Sequence, residues 1–127
     1  MIVFDASAAV LALVNDGDAR RSLADETVAV PHLVDAEVAH ALRAQVLRER
    51  VSADDARAAL ARWARLGLRR YAAVGLLSRI WQLRDNLSAY DATYVALAEA
   101  SGCDLVTADA RLARAPGPKC AIRVVRR

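Results

Sequence analysis

Four acidic residues, Asp5, Glu37, Asp91 and Asp109, lie in four separate segments of a 127-residue chain, each beside a short apolar run or near the start of a helical pattern. Carboxylates delivered one per segment to a common place repel one another. At about 5 Å each pair costs on the order of 3 kcal/mol at an effective dielectric near 20. A bound cation reverses that sign. With oxygen donors and no neighbouring Cys or His, the donor set suits a hard ion, Mg²⁺ or Mn²⁺. One or two such ions can activate water and stabilise the leaving oxygen of a phosphodiester, so metal-assisted hydrolysis is the chemistry to expect.

Each acid also has a structural reading. Asp91 ends Ser88-Ala89-Tyr90-Asp91, a capping-box-like pattern, Asp5 and Asp109 can cap the helices that follow them, and Glu37 can be an exposed helix residue. What favours chemistry is placement. Asp5 directly follows the apolar run Met1–Phe4, and Asp109 lies two residues beyond Thr107 at the end of another, so both project from strand ends. Glu37 and Asp91 belong to the first turns of helices, where anions are favoured.

The elements that must position these side chains alternate along the chain. Met1–Phe4 predicts a strand and Ala6–Asn15 a helix, Asp18–Asp25 a short helix, Val28–Val30 a strand ending at Pro31, and Leu33 to about Glu49 a long helix. Ser52 predicts an N-cap, with Ala56, Leu60, Trp63 and Leu66 at helical spacing up to Gly67. Leu68–Val74 reads as a strand, Gly75–Arg84 as a helix with Leu76, Leu77, Ile80 and Trp81 inward, and Ser88–Ser101 as a helix closed by Gly102. Asp104–Thr107 is a strand, a helical turn reaches Arg114, Pro116-Gly117-Pro118 breaks the chain, and Ala121–Val125 is a last strand.

Short apolar strands alternating with helices specify an α/β fold, because parallel neighbours require a crossover. The expectation is one domain over residues 1–127, a three-layer α/β/α sandwich with a short, mainly parallel central sheet. Its site should lie beyond the carboxyl ends of the strands, where strand order reverses.

Composition bounds the function classes. The chain is 56% apolar with 26% charged residues, enough for one core and unlike a disordered or low-complexity chain. The stretch Ala6–Val14 is too short to cross a bilayer and has no basic segment ahead of it, so no membrane and a cytoplasmic location are expected. Cys103 and Cys120 form no C-x-x-C pair and read as buried free thiols. Seventeen arginines against the single Lys119, at a net charge of +3, suit a phosphate-binding surface, although GC-rich coding produces the same bias.

Other polar and aromatic residues read as structure. Glu37-Val38-Ala39-His40 lacks the second Glu-x-x-His pair of a di-iron site, so His40 is a packing or surface residue. His32 precedes a helix. Asp35, two residues before Glu37, falls on a different helix face. Trp63 and Trp81 sit at helical spacing and suit a core or a dimer contact rather than base stacking. The helix arginines, among them Arg43, Arg57 and Arg62, read as a solvated face.

Two rival enzyme classes begin with a strand ending in Asp. A phosphoaspartyl phosphatase needs Asp-x-Asp, whereas Ser7 stands at the second position. A receiver domain needs an acidic pair ahead of its phosphorylated Asp, and that pair is absent. Asp5-Ala6-Ser7-Ala8 lacks the glycines of a dinucleotide-binding turn. A catalytically inactive binding module, its acids devoted to caps, remains the alternative.

Taken together, Ile2-Val3-Phe4-Asp5-Ala6-Ser7, Val30-Pro31 followed by Glu37, Ala89-Tyr90-Asp91-Ala92-Thr93-Tyr94-Val95-Ala96-Leu97-Ala98 and Leu105-Val106-Thr107-Ala108-Asp109 resemble the PIN-domain family, in particular the VapC-type toxins of bacterial toxin–antitoxin pairs. The resemblance implies that Asp5, Glu37, Asp91 and Asp109 are the family's acidic quartet, supported by the hydroxyls of Ser7 and Thr107. It also implies a Mg²⁺- or Mn²⁺-dependent endoribonuclease, the toxin of a type II pair. Its targets would be structured RNAs such as tRNA or rRNA. It would form a homodimer and be blocked by the C-terminal segment of a cognate antitoxin.

Overall fold

The computed structural model describes residues 1–126. Strand β1 (Ile2–Phe4) is completely buried, as a central strand covered on both faces must be. It leads into helices α1 (Ala6–Val14) and α2 (Asp18–Asp25), then β2 (Val28–Pro31), α3 (Leu33–Leu47), α4 (Ala53–Arg65) and β3 (Arg69–Tyr71). A 3₁₀ turn (Val74–Leu76), α5 (Leu77–Gln82) and α6 (Ala89–Ser101) carry the chain to β4 (Asp104–Thr107), and α7 (Ala110–Arg114) to β5 (Ile122–Val124).

All strand pairs are parallel, in the order β3-β2-β1-β4-β5. From β1 the chain steps outward to β2 and β3, then crosses back to β4 on the other side of β1 and steps outward again to β5. Strand order therefore reverses between β1 and β4, whose register pairs Phe4 with Val106. Asp5 and Asp109 follow these two strands, which places them at the switch point where open α/β sheets form their sites.

Helix α1 packs on α2 and α3, and α3 on α4, while α6 lies across β1, β2 and β4 with α5 at its side. The result is the expected three-layer sandwich, with a fully parallel sheet. Every residue of α6 from Ala92 to Ala98 is buried, so this helix is apolar nearly all round. Gly102, at φ +64°, closes it in the left-handed conformation that glycine adopts without a Cβ clash. Ser52 caps α4 through the Asp55 amide, as its position predicted.

The region between Gly67 and Arg84 departs from expectation. The strand is confined to Arg69–Tyr71 at the sheet edge, and the helix to Leu77–Gln82. Of the residues expected to point inward, Ile80 is buried and Leu76 half-buried, whereas Leu77 and Trp81 are 57% and 67% exposed. The inward residues are instead Ile80 of the helix with Leu76 before it and Leu83 and Leu87 in the turns after it. Trp81 is therefore not a core residue, while Trp63 is.

Two smaller expectations also change. Helix α3 stops at Leu47, because Glu49 adopts φ +58° and ends the helical path. Cys103 and Cys120 are free but half-exposed rather than buried. Among the described residues, no helix is long and apolar enough to cross a membrane.

Candidate active site

Asp5 is both a cap and the centre of the acidic cluster. Its Oδ1 accepts from the Ala8 amide at 2.9 Å, capping α1, and from the Ser7 hydroxyl at 2.6 Å. Its Oδ2 accepts from the Thr107 hydroxyl at 2.5 Å. Ser7 Oγ in turn accepts from the Ala108 amide at 2.9 Å, and Thr107 Oγ1 from the Asp109 amide at 3.0 Å. Two hydroxyls thus bind the end of β1 to the end of β4 and fix the carboxylate between them. Ser7 and Thr107 between them bond both oxygens of Asp5, and a carboxylate with bonded oxygens keeps a defined orientation.

Asp5 is buried, with an exposure of only 5% for the residue. Burial raises its pKa above the ordinary 3.8, the bonds from Ser7, Thr107 and Ala8 pull it back, and the charge of Asp91 raises it further.

Glu37 lies one turn into α3, half-buried, with Oε1 accepting from the Tyr94 hydroxyl at 2.5 Å. Burial lifts its pKa, Tyr94 opposes the shift, and Asp91 and Asp5 add to it. Asp91 sits in the first turn of α6, its amide donating to Ser88 Oγ at 3.1 Å, so Ser88 caps the helix and leaves the Asp91 carboxylate free to face the cluster. Burial and the neighbouring Asp109 hold its pKa up against the weaker pull of Arg111 and Ser88.

Asp109 differs. It caps α7 through the Arg111 amide at 2.9 Å, and the Arg111 guanidinium reaches its two oxygens at 3.2 and 3.3 Å. The side-chain bond from Arg111 outweighs burial and holds the Asp109 carboxyl below the ordinary range. The structure therefore brings Asp5, Glu37 and Asp91 into one another's field, and joins Asp109 to them through Asp91.

The donor set fits a hard divalent ion. It consists of oxygens only, and three of its carboxylates carry raised pKa values with neighbouring acids among the causes. As the side chains stand, however, among the described residues no three Asp, Glu, His or Cys converge closely enough to hold a metal ion. Arg111 engages Asp109 and Tyr94 engages one oxygen of Glu37. Coordination by the full set requires these carboxylates to draw closer together, and Glu37 has a second oxygen that Tyr94 does not engage.

Tyr94 and Arg111 were not singled out by sequence reasoning. Tyr94 carried a signal, since it lies three residues beyond Asp91 and so on the same side of α6. Arg111 carried none that distinguishes it from sixteen other arginines. Asp35 does leave the site, as its spacing predicted, accepting from Trp63 Nε1 at 2.8 Å and from Arg70 at 2.8 and 2.9 Å.

The chain is similar to known proteins in both sequence and fold. The family model of the PIN domain matches residues 2–118. Ribonuclease VapC9 of Mycobacterium tuberculosis is 58% identical over 127 residues, covering all of both chains. Ribonuclease VapC1 of the same organism is 47% identical over 129 residues, covering 98% of this chain and 97% of its own. In three dimensions the fold is similar to that of PAE2754 from Pyrobaculum aerophilum, with a TM-score of 0.71 and 29% identity over 97% of this chain and 83% of that one.

Proposed function

The chain belongs to the PIN-domain family and is of its VapC type, and from that premise we propose that it is a metal-dependent endoribonuclease, the toxin of a type II toxin–antitoxin pair. The observation that carries the reading is the buried Asp5 carboxylate, clamped by Ser7 and Thr107 at the strand-order reversal and facing Asp91 and Glu37. A capping role needs one carboxylate at that edge and gains nothing from three that repel.

Asp5, Glu37, Asp91 and Asp109 are the residues that would hold Mg²⁺ or Mn²⁺. When bound, the ion lowers the pKa of water and neutralises charge developing on the phosphodiester. The protein's own part is orientation. Ser7 and Thr107 fix Asp5. Tyr94 fixes one oxygen of Glu37, leaving the other to take a proton from the attacking water. In the hydrolysis a bond forms from water oxygen to phosphorus as Glu37 takes the water's proton, the bond to the leaving ribose oxygen breaks, and that oxygen takes a proton from solvent.

The partners that accompany this reading are an RNA substrate, structured RNA such as tRNA or rRNA among the candidates, a second copy of the chain in a homodimer, and a cognate antitoxin. They rest on the family resemblance, as does a cytoplasmic location. The test is cleavage of total cellular RNA by the purified protein, with EDTA and then with Mg²⁺ or Mn²⁺, beside Asp91→Ala. Discrete fragments that require metal and vanish in the variant are expected. Cleavage that persists in EDTA or in Asp91→Ala would overturn the metal-site reading.

A second reading keeps the fold and loses the chemistry. It is favoured by the double use of Asp5 and Asp109 as helix caps and by the absence, among the described residues, of three converged ligands. Absence of cleavage with every metal, in protein free of antitoxin, would select it.

A further inference from the structure

Beside the acidic cluster, a pocket of about 300 Å³ opens between the segment leading into α6 and helix α7. Asn86 and Leu87 form one side and Arg111, Leu112 and Ala115 the other. Asp91 and Asp109 form the wall it shares with the cluster, so whatever occupies the pocket lies next to the proposed scissile phosphate. The volume is at the small end of ligand sites, which span roughly 300–1,000 Å³, and suits a ligand of few atoms rather than a length of duplex.

The lining has the composition of a site for one nucleotide. Leu87, Leu112 and Ala115 offer an apolar surface to a flat base. Leu112 is buried in the core and Leu87 packs against it, so the half-buried Leu87 and Ala115 supply most of that surface. Asn86 presents a carboxamide, with a donor and an acceptor side by side, and no hydrogen bond among the described residues engages it. Its Nδ2 lies against Gly117, where an added Cβ would approach within 3.8 Å of it and 3.1 Å of Leu83 Cδ2. The tight approach at Gly117 is to Leu83, while the Asn86 amide lies at ordinary contact distance. At the rim, Arg111 is 86% exposed at its side chain and, among the described residues, held by Asp109 alone, a weak surface pair that a phosphate can replace with a bidentate one.

We infer that this pocket holds a single nucleotide of the RNA adjacent to the cleaved phosphodiester, its base against Leu87, Leu112 and Ala115, its edge read by Asn86 and its phosphate met by Arg111. The inference rests on the ribonuclease reading for its place in the reaction. It makes Asn86 a specificity-determining residue at one position of the target. Transfer of Arg111 from Asp109 to the phosphate also releases Asp109 toward the acidic cluster, so nucleotide binding and completion of the cluster favour each other.

The experiment is a titration of the four nucleoside 5′-monophosphates, in turn, into the isotope-labelled protein with Mg²⁺, followed by amide shifts in nuclear magnetic resonance. Shifts at Leu87, Leu112 and Ala115 are expected, with one base favoured by roughly 5-fold or more, the discrimination a paired carboxamide supplies. Asn86→Ala should bring the four affinities within about 2-fold of one another, and Arg111→Gln should weaken all four alike. Shifts absent from this pocket for all four nucleotides, or an unchanged base preference in Asn86→Ala, would overturn the inference. Cleavage of RNA by the same preparation separates the two readings. Cleavage without nucleotide binding here leaves the ribonuclease and removes the pocket. Selective binding without cleavage leaves the nucleotide site and removes the ribonuclease.

Discussion

Helix α3 carries two acids two residues apart, and they live in opposite surroundings. Asp35 turns to the α4 and β3 flank, where Arg70 binds both of its oxygens and the Trp63 indole donates to one. Those contacts, the Arg70 bond above all, hold its pKa below the ordinary 3.8. Glu37 turns to the carboxyl edge of the sheet, where a neutral tyrosine hydroxyl is its bonded partner and Asp91 and Asp5 are its charged neighbours. Helix α6 repeats the contrast. Asp91, in its first turn, is held up by burial and Asp109, while Glu99 near its last turn is pulled below its ordinary value, against burial, by Arg79 and the Lys119 amide. Each helix thus has an acid whose charge is already compensated and one whose charge still needs a partner. The second kind marks the proposed site, because neighbouring carboxylates left uncompensated are costly until a ligand offsets their charge.

Substitution should separate the two kinds most sharply at Asp5. Asp5→Asn keeps the shape and the cap but removes a buried, repelled charge, and loss of RNA cleavage by more than about 100-fold is expected, since even supporting residues of metal sites cost 10–100-fold. Thermal unfolding of the metal-free variant should occur at the same temperature or higher. Full activity in Asp5→Asn would erase the distinction.

The converse pattern is expected at Asp35. Asp35→Ala leaves the nearly buried Trp63 indole N–H without its partner and frees Arg70, a loss of about 1–3 kcal/mol. Urea unfolding should report that loss, while cleavage per folded molecule stays within about 2-fold of the parent, because Asp35 touches none of the site residues. A selective loss of cleavage would show that the two faces of α3 are coupled.

The smallest effect is in pH. A carboxyl raised by folding binds protons more tightly in the native state, so the cost of charging Asp5, Glu37 and Asp91 disappears as pH falls toward their ordinary values of 3.8, 4.5 and 3.8. A carboxyl lowered by folding has the opposite sign, and the stability supplied by Asp35 and Glu99 is lost as pH falls below their ordinary 3.8 and 4.5. The metal-free protein should therefore gain stability as pH falls toward those ordinary values and lose it again as pH drops below them. Urea midpoints across that range test this, and Asp5→Asn should flatten the rise without altering the fall. Saturating Mg²⁺ should reverse the rise, since a cation bound by the charged acids stabilises them at neutral pH.

The order of strands and helices, the parallel sheet and the edge that carries the acids were legible from the chain, because strand runs ending in Asp5 and beside Asp109, and helix starts ahead of Glu37 and Asp91, are local patterns. The segment from Gly67 to Arg84 was not. Its apolar residues are dense enough to suit more than one inward face, and only the choice among them, made by packing against α6, exposes Leu77 and Trp81 and buries Ile80 and Leu83.

The sequence by itself determined which residue types could meet and the secondary structure that carries them, since helical and strand periodicities are set by backbone geometry over a few residues. Only the tertiary structure decided which charges are satisfied. Arg70 reaches Asp35 across 35 residues, Thr107 reaches Asp5 across 102, and Tyr94 reaches Glu37 across 57. No local pattern encodes partners at such separations, because they are brought together by the crossover connections of the sheet and by the shape of the core beneath it.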